Sequence, residues 1–516
     1  MSRHCDEGER DMGNCGKWKR AIRPKVTAAV VASVLATLFV GVSWGAAGYS
    51  PDTDPYSMAD TTLGTGAQAW WNAGYTGKGV DVALIDTGVA PVAGLNASGK
   101  LVNGPDLSLD SQSPTLRYLD AYGHGTFLAG LIAGKGSSYR GMAPDARLVS
   151  LKVGAADGAV DVSQVIAAID WVVQHAHDPG FNIRVINLSY GTNSLQDPAN
   201  DPLAYAAEQA WKRGILVVAA GGNYGFQSQR NAPALADPAY DPSLLAVGSI
   251  DTMGTPAMSD DQVPSFSPWP KRGATRGVDI DAPGAHLQGL RVPNSFIDVN
   301  HPEGYLDDRY FRGSGTSQSA AIVSGAAALI LQKYPSATPD QVKQLLANSA
   351  TYLNSQKSQA QGDGELNLSA ALTMPLPSVA SANLDDTGNG SLEQARGSDH
   401  LTASDGSVLS GEQDIFGKPF DSAAMAALEA QASSWSGGKW NASTWSGSSW
   451  SGLNWLASSW SASSWSGSSW SANSWSANSW SANSWSASSW SASSWSGSTW
   501  SASSWSGAGW QGATWG

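Results

Sequence analysis

The middle of the chain alternates between two periodicities of apolar and polar positions. Five nearly continuous apolar runs, VDVALID (80–86), RLVSLKV (147–153), VINLSY (185–190), ILVVAAG (215–221) and LLAVGSI (244–250), are rich in Val, Ile and Leu. Strands of a parallel sheet have this composition when helices cover both faces, because neither side meets water. Between the runs, apolar residues recur at helical spacing. In SQVIAAIDWVVQHAH, Val165, Ile166, Ile169, Val172, Val173 and Ala176 share a face, with Ser163 placed to cap. DPLAYAAEQAWKRG opens on Asp201 and Pro202 and closes at Gly214. TPDQVKQLLANSA opens on Thr338, Pro339 and Gln341, the spacing of a capping box. Strands alternating with helices predict a doubly wound, mostly parallel α/β sheet with helices on both faces, over residues 51–375.

Two other patterns flank this body. Lys17, Lys19, Arg20, Arg23 and Lys25 form a basic cluster, and no charge follows from Val26 to Ser50. Residues 1–25 read as a cytoplasmic n-region and 26–48 as a signal peptide, with GAA (45–47) as a cleavage site, or as a membrane anchor. Either reading exports the body, since the basic side stays inside. Beyond the body, residues 376–434 are dominated by Gly, Ser, Asp and Asn and read as a linker, with one short helical pattern in DSAAMAALEAQ. From 435 to 516 tryptophan falls at every fifth position, seventeen in succession, among Ser, Ala, Gly and Asn. A step of five draws no single stripe on a helix and alternates faces on a strand. Three readings stay open for this tail: a five-residue solenoid, an aromatic ladder that binds a flat surface or itself, and a disordered segment.

Composition narrows the function. The net charge is −13 with no long basic run, which argues against a nucleic-acid partner. Both cysteines, Cys5 and Cys15, precede the apolar segment, so no disulfide can staple the body.

Four positions carry candidate chemistry. Asp86 ends a predicted strand in VALIDTGVAP, at the rim where parallel sheets place their functional crevice. His124 lies between two glycines in DAYGHGTFLAG, where backbone can approach closely. Asn223 follows a strand and two glycines in VVAAGGNYG, where a side-chain amide can serve a turn or donate to an oxyanion. Ser317 stands at the start of an alanine-rich helical run in RGSGTSQSAAIVSG, where serine can cap, attack, or do both. The order Asp, His, Ser is one of the known orders of a Ser-His-Asp triad.

With TGKGVDVALIDTGV, GHGTFLAG, GMAPDARLVSLKV, VINLSYG, VVAAGGN, AVGSID, DIDAPG and SGTS, these stretches resemble the subtilisin-like (S8, subtilase) serine proteases over about residues 65–350. The resemblance implies an exported serine endopeptidase acting on polypeptides. Ser317 is implied as nucleophile, His124 as base and Asp86 as its orienting partner, with Asn223 and the Ser317 N–H as oxyanion donors. Ser189, Tyr190 and Gly191 are implied to pair with the substrate backbone, and Ala220, Gly221 and Gly222 to line the pocket before the scissile bond. No cofactor is implied for the chemistry. The chain departs from the family at Phe127, Gln318, Ala321 and Ile322, and no pro-domain is visible at its usual place. The long insert 285–314 carries Asp298, Glu303, Asp307 and Asp308, read either as a structural calcium site or as a solvated loop. The competing function is a surface- or wall-binding protein that uses the tryptophan tail on cell-wall polysaccharide or on itself, with the protease body as scaffold.

Overall fold

A computed structural model of the chain describes residues 49–226, 234–271, 276–356, 358–380, 385–402 and 407–445, with the pair 459–460. The export segment and residues 446–458 and 461–516 of the tail lie outside the described residues. Among the described residues no helix is long and apolar enough to cross a membrane.

The core is a seven-stranded sheet: β1 Asp81–Asp86, β2 Leu101–Asp106, β3 Arg147–Lys152, β4 Ile183–Leu188, β5 Leu216–Ala220, β6 Leu245–Ile250 and β7 Ile280–Pro283. Its spatial order is β2-β3-β1-β4-β5-β6-β7, and every neighbouring pair is parallel. All five predicted apolar runs are strands here. In β1 every residue is buried, as expected for a central strand between two helical layers. A separate antiparallel pair, β8 Leu287–Leu290 with β9 Tyr310–Gly313, closes the long insert.

The helix Thr316–Lys333 is buried all round from Thr316 to Leu331, and so lies inside the molecule. Its small residues permit this. A Cβ on Gly325 would stand 2.5 Å from the Cβ of Met142. Gly315 is its N-cap and no side chain caps it, so Ser317 sits inside the first turn with its hydroxyl left over for other partners. The capping role open to Ser317 is therefore not taken. In the helix Val162–His175 the cap is Asp161 rather than Ser163: Asp161 accepts from the Ser163 N–H, and its own N–H donates to the Gln164 side chain at 2.7 Å. The capping box at Thr338 and Gln341 forms as expected.

Residues 385–402 and 407–445, read as linker and tail start, pack onto the body. Leu392, Ala395, Leu409, Ile415 and Trp440 join its hydrophobic core. The first tryptophans fold as two tight hairpins: Trp435 pairs with Trp440 and Lys439 with Thr444. The turns, Gly437-Gly438 and Asn441-Ala442, all have positive φ, as two-residue reversals of this kind require.

Candidate active site

The sheet order places β1 between β3 and β4. The chain leaves β1 toward one edge of the sheet and later crosses to the other, and that reversal opens a crevice at the carboxyl ends of the strands. Asp86 is the last residue of β1 and is buried there. Its two oxygens lie 2.8 and 3.0 Å from His124 Nδ1. A carboxylate facing Nδ1 keeps the proton of a neutral imidazole on that nitrogen and leaves Nε2 as the basic end.

The glycines around His124 are there for space. Gly123 has φ +106, and a Cβ on it would lie 2.6 Å from Ser295 Oγ. A Cβ on Gly125 would come within 2.2 Å of the Gly88 carbonyl and 3.0 Å of Asp86 Oδ1. The start of the His124 helix is pinned by Asp120, which accepts from the N–H groups of Gly123 and Thr126, both at 2.7 Å, and from the Thr87 hydroxyl at 2.8 Å. Thr87 in turn accepts from the Gly125 N–H at 2.9 Å. Burial pushes the Asp120 carboxyl above the usual range, although these hydrogen bonds pull it down. Sequence reasoning did not single out Asp120 or Thr87. The available signal was an acid four residues before a glycine-flanked histidine.

A second connected group surrounds Ser317. Asn223 Oδ1 accepts from the Thr316 N–H at 3.0 Å and the Thr316 hydroxyl at 3.2 Å. With the oxygen end of that amide held, its NH2 end is turned away from Thr316. The Thr316 hydroxyl also accepts from the Gly222 N–H at 3.1 Å, so Thr316, missed in the sequence, ties the strand end to the helix start. The Ser317 hydroxyl donates to the Ser189 carbonyl at 3.4 Å, and the Ser189 hydroxyl donates to the Ser317 carbonyl at 3.3 Å. Behind them Asn187 donates to Ser189 Oγ and accepts from Ser324 Oγ, each at 2.9 Å. The Tyr190 and Ala220 side chains are buried in the core. Gly222, at φ +105, faces the Tyr224 ring, whose nearest atoms would stand 3.0 Å from a Cβ there.

The insert's acids have protein partners. Arg291 binds Asp298 at 2.7 Å, His301 lies 3.0 Å from Glu303, Asp307 accepts two backbone N–H groups, and Tyr305 donates to Asp308 at 2.9 Å. Elsewhere, Glu208, Asp241 and Asp386 have carboxylate oxygens within 4.8 Å of one another, and Lys212 lies 3.0 Å from Glu208.

An Asp–His pair ends one strand and a buried serine lies in the first turn of a helix, on a doubly wound parallel sheet, and these are the residue types a serine hydrolase uses. Residues 77–365 match the subtilase family (peptidase S8), and the chain belongs to that family of serine proteases. It is 37% identical over 303 residues to the serine protease AprX of Bacillus subtilis (strain 168), covering 57% of this chain and 66% of AprX, just under two thirds. It is 34% identical over 307 residues to subtilisin BL of Lederbergia lenta, covering 59% of this chain and 95% of that one. A crystal structure of a cold adapted subtilisin-like serine proteinase is 30% identical with a TM-score of 0.44, covering 57% of this chain and 90% of that one.

Proposed function

We propose that the chain is an exported serine endopeptidase that cleaves polypeptides through Asp86, His124 and Ser317. The observation that carries this reading is the Asp86–His124 contact at 2.8 Å, at the rim of the strand where the sheet reverses. In the proposed cycle the Ser317 hydroxyl attacks the scissile carbonyl, and His124 takes its proton. His124 then returns the proton to the leaving amine, and water repeats the cycle on the acyl-enzyme. Asp86 holds the imidazole in the useful tautomer and stabilises its charged form. The oxyanion accepts from the Asn223 side-chain NH2 and the Ser317 N–H, and the positive end of the Thr316–Lys333 helix adds to the field. The strand continuation Ser189–Gly191 pairs with the substrate backbone, and Ala220–Gly222 borders the side chain before the cleaved bond.

Export rests on the basic cluster and uncharged apolar run ahead of residue 50. Sequencing the mature N-terminus separates a cleaved signal from a retained anchor. Binding of the tail to wall polysaccharide is left with fewer indoles than the sequence offers. Trp435 and Trp440 donate to acceptors on the body, Ala167 O at 2.8 Å and Asp170 Oδ2 at 2.7 Å. The decisive test is labelling with a fluorophosphonate followed by peptide mapping. An adduct at Ser317, absent in Ser317→Ala, is expected; a chain that takes no label at that residue is not this enzyme.

A further inference from the structure

We propose that residues 391–399 are a working part of the substrate cleft, with Arg396 and Thr192 as positioning residues for the strand Ser189–Gly191. This rests on the protease reading above. Two loops leave the strands on either side of β1: the stretch after β3 that ends at Asp161, and the stretch after β4 that runs through Ser189–Gly191 to Gln196. The segment 391–399 is bonded to both.

On the β4 side it follows the chain residue by residue. The Thr192 hydroxyl donates to the Ala395 carbonyl at 2.6 Å. Asn193 accepts from the Ser398 N–H at 2.8 Å and donates to the Ser398 hydroxyl at 2.7 Å. Gln196 accepts from the Ser391 N–H at 2.8 Å and donates to the Ser391 carbonyl at 3.1 Å. The approach is close enough to demand glycine: Gly397 has φ +61, and a Cβ there would lie 2.2 Å from Asn193 Oδ1. The other side of Thr192 is held as well, by a two-bond backbone bridge to Asp237 at 3.0 Å each way. The strand next to it therefore has few ways to move.

On the β3 side the contact is one buried ion pair. Arg396 Nε donates to Asp161 Oδ1 at 2.6 Å, and both side chains are 0% exposed. Arg396 also donates to the Gly411 carbonyl at 2.7 Å and to Glu393 at 3.2 Å, which uses the fork of donors that a lysine lacks. Asp161 is itself the cap of the helix Val162–His175, so the clasp grips a fixed point. A buried pair of this kind contributes little net stability but fixes geometry, because any other arrangement strands a charge. The clasp thus sets the separation of the two loops that leave the sheet on either side of β1, the strand that ends at Asp86.

The test compares a substrate that fills the cleft with one that touches only the reacting groups. Full-length Thr192→Val and Arg396→Lys are assayed on fluorescein-labelled casein and on p-nitrophenyl acetate. Losing one positioning hydrogen bond is expected to raise the casein KM up to about tenfold. Ester hydrolysis is expected to stay within about twofold, and Thr192→Ser to restore the casein KM. An unchanged casein KM, or an equal loss on both substrates, overturns the proposal. If the wild-type chain hydrolyses neither, the protease reading fails separately. Casein affinity by fluorescence anisotropy, for Ser317→Ala with and without Thr192→Val, then decides the clasp: about tenfold weaker binding supports it and equal binding refutes it.

Discussion

Trp440 is the second tryptophan of the five-residue series, a position that composition assigns to a dispensable tail, yet it is 0% exposed. Its ring lies 5.9 Å from that of Phe420, and its Nε1 donates to Asp170 on the helix Val162–His175 at 2.7 Å. Replacing it with alanine removes a fully buried indole, a change that costs about 3–5 kcal/mol. Trp440→Phe keeps most of the volume but leaves Asp170 without that donor, at about 1–3 kcal/mol. A body of roughly 400 residues unfolds with an entropy of about 0.8 kcal/mol/K. The expected falls in Tm are then about 4–6 °C for alanine and about 1–4 °C for phenylalanine. The assay is differential scanning calorimetry at one fixed scan rate, in a Ser317→Ala background so that self-digestion does not set the apparent transition. A Trp440→Ala chain melting within about 1 °C of its parent would refute the assignment of these repeats to the protease core.

Three further outcomes follow, the first from the proposed mechanism and the others from the geometry. Asn223→Ala should lower kcat by about 10²–10³ at nearly constant KM, a figure that itself comes from subtilisin; steady-state kinetics on a peptide substrate checks it. Burial pushes the Asp399 carboxyl up to about 8, so the native state keeps a proton that the unfolded chain releases above roughly pH 4. Its contribution to stability is complete below that point, declines as the pH rises, and is gone above about pH 8. Asp399→Asn should therefore flatten the fall of Tm between pH 4 and 8, and parallel curves for variant and parent would count against it. Gly289→Ala in β8 would place a Cβ about 2.4 Å from the Phe127 ring, with an expected cost of about 1–3 kcal/mol; trimming the ring with Phe127→Leu should recover part of it in urea unfolding.

The sequence made the five apolar strands legible because each is buried on both faces, so composition alone marks it. The edge strand LVNGPD (101–106) escaped because its burial is mixed and its Gly104 and Pro105 look like a turn. The strand IDAP is four residues long and ends in proline, too short for any period to register. Residues 376–434 looked like a linker for a related reason. Leu392, Leu401, Leu409, Ile415 and Phe420 are all buried, but they leave the chain singly from short elements and loops, so no repeat connects them. Asp86, His124, Asn223 and Ser317 were readable because glycines and strand ends mark places where backbone must crowd. Thr87, Asp120 and Thr316 were not, because their work is to hold backbone N–H groups and neighbouring side chains, and that leaves no spacing rule in the chain.

Arg396 and Asp161 are 235 positions apart, so their pairing has a consequence for how the protein is born. A ribosome releases every residue assigned to chemistry before it reaches the arginine that joins the two loops. A chain ending before residue 391 therefore carries Asp86, His124 and Ser317 but lacks the ion pair that ties the two loops together. A fastener contributed from so far along the chain makes the fixed spacing of these two loops depend on residues beyond 390.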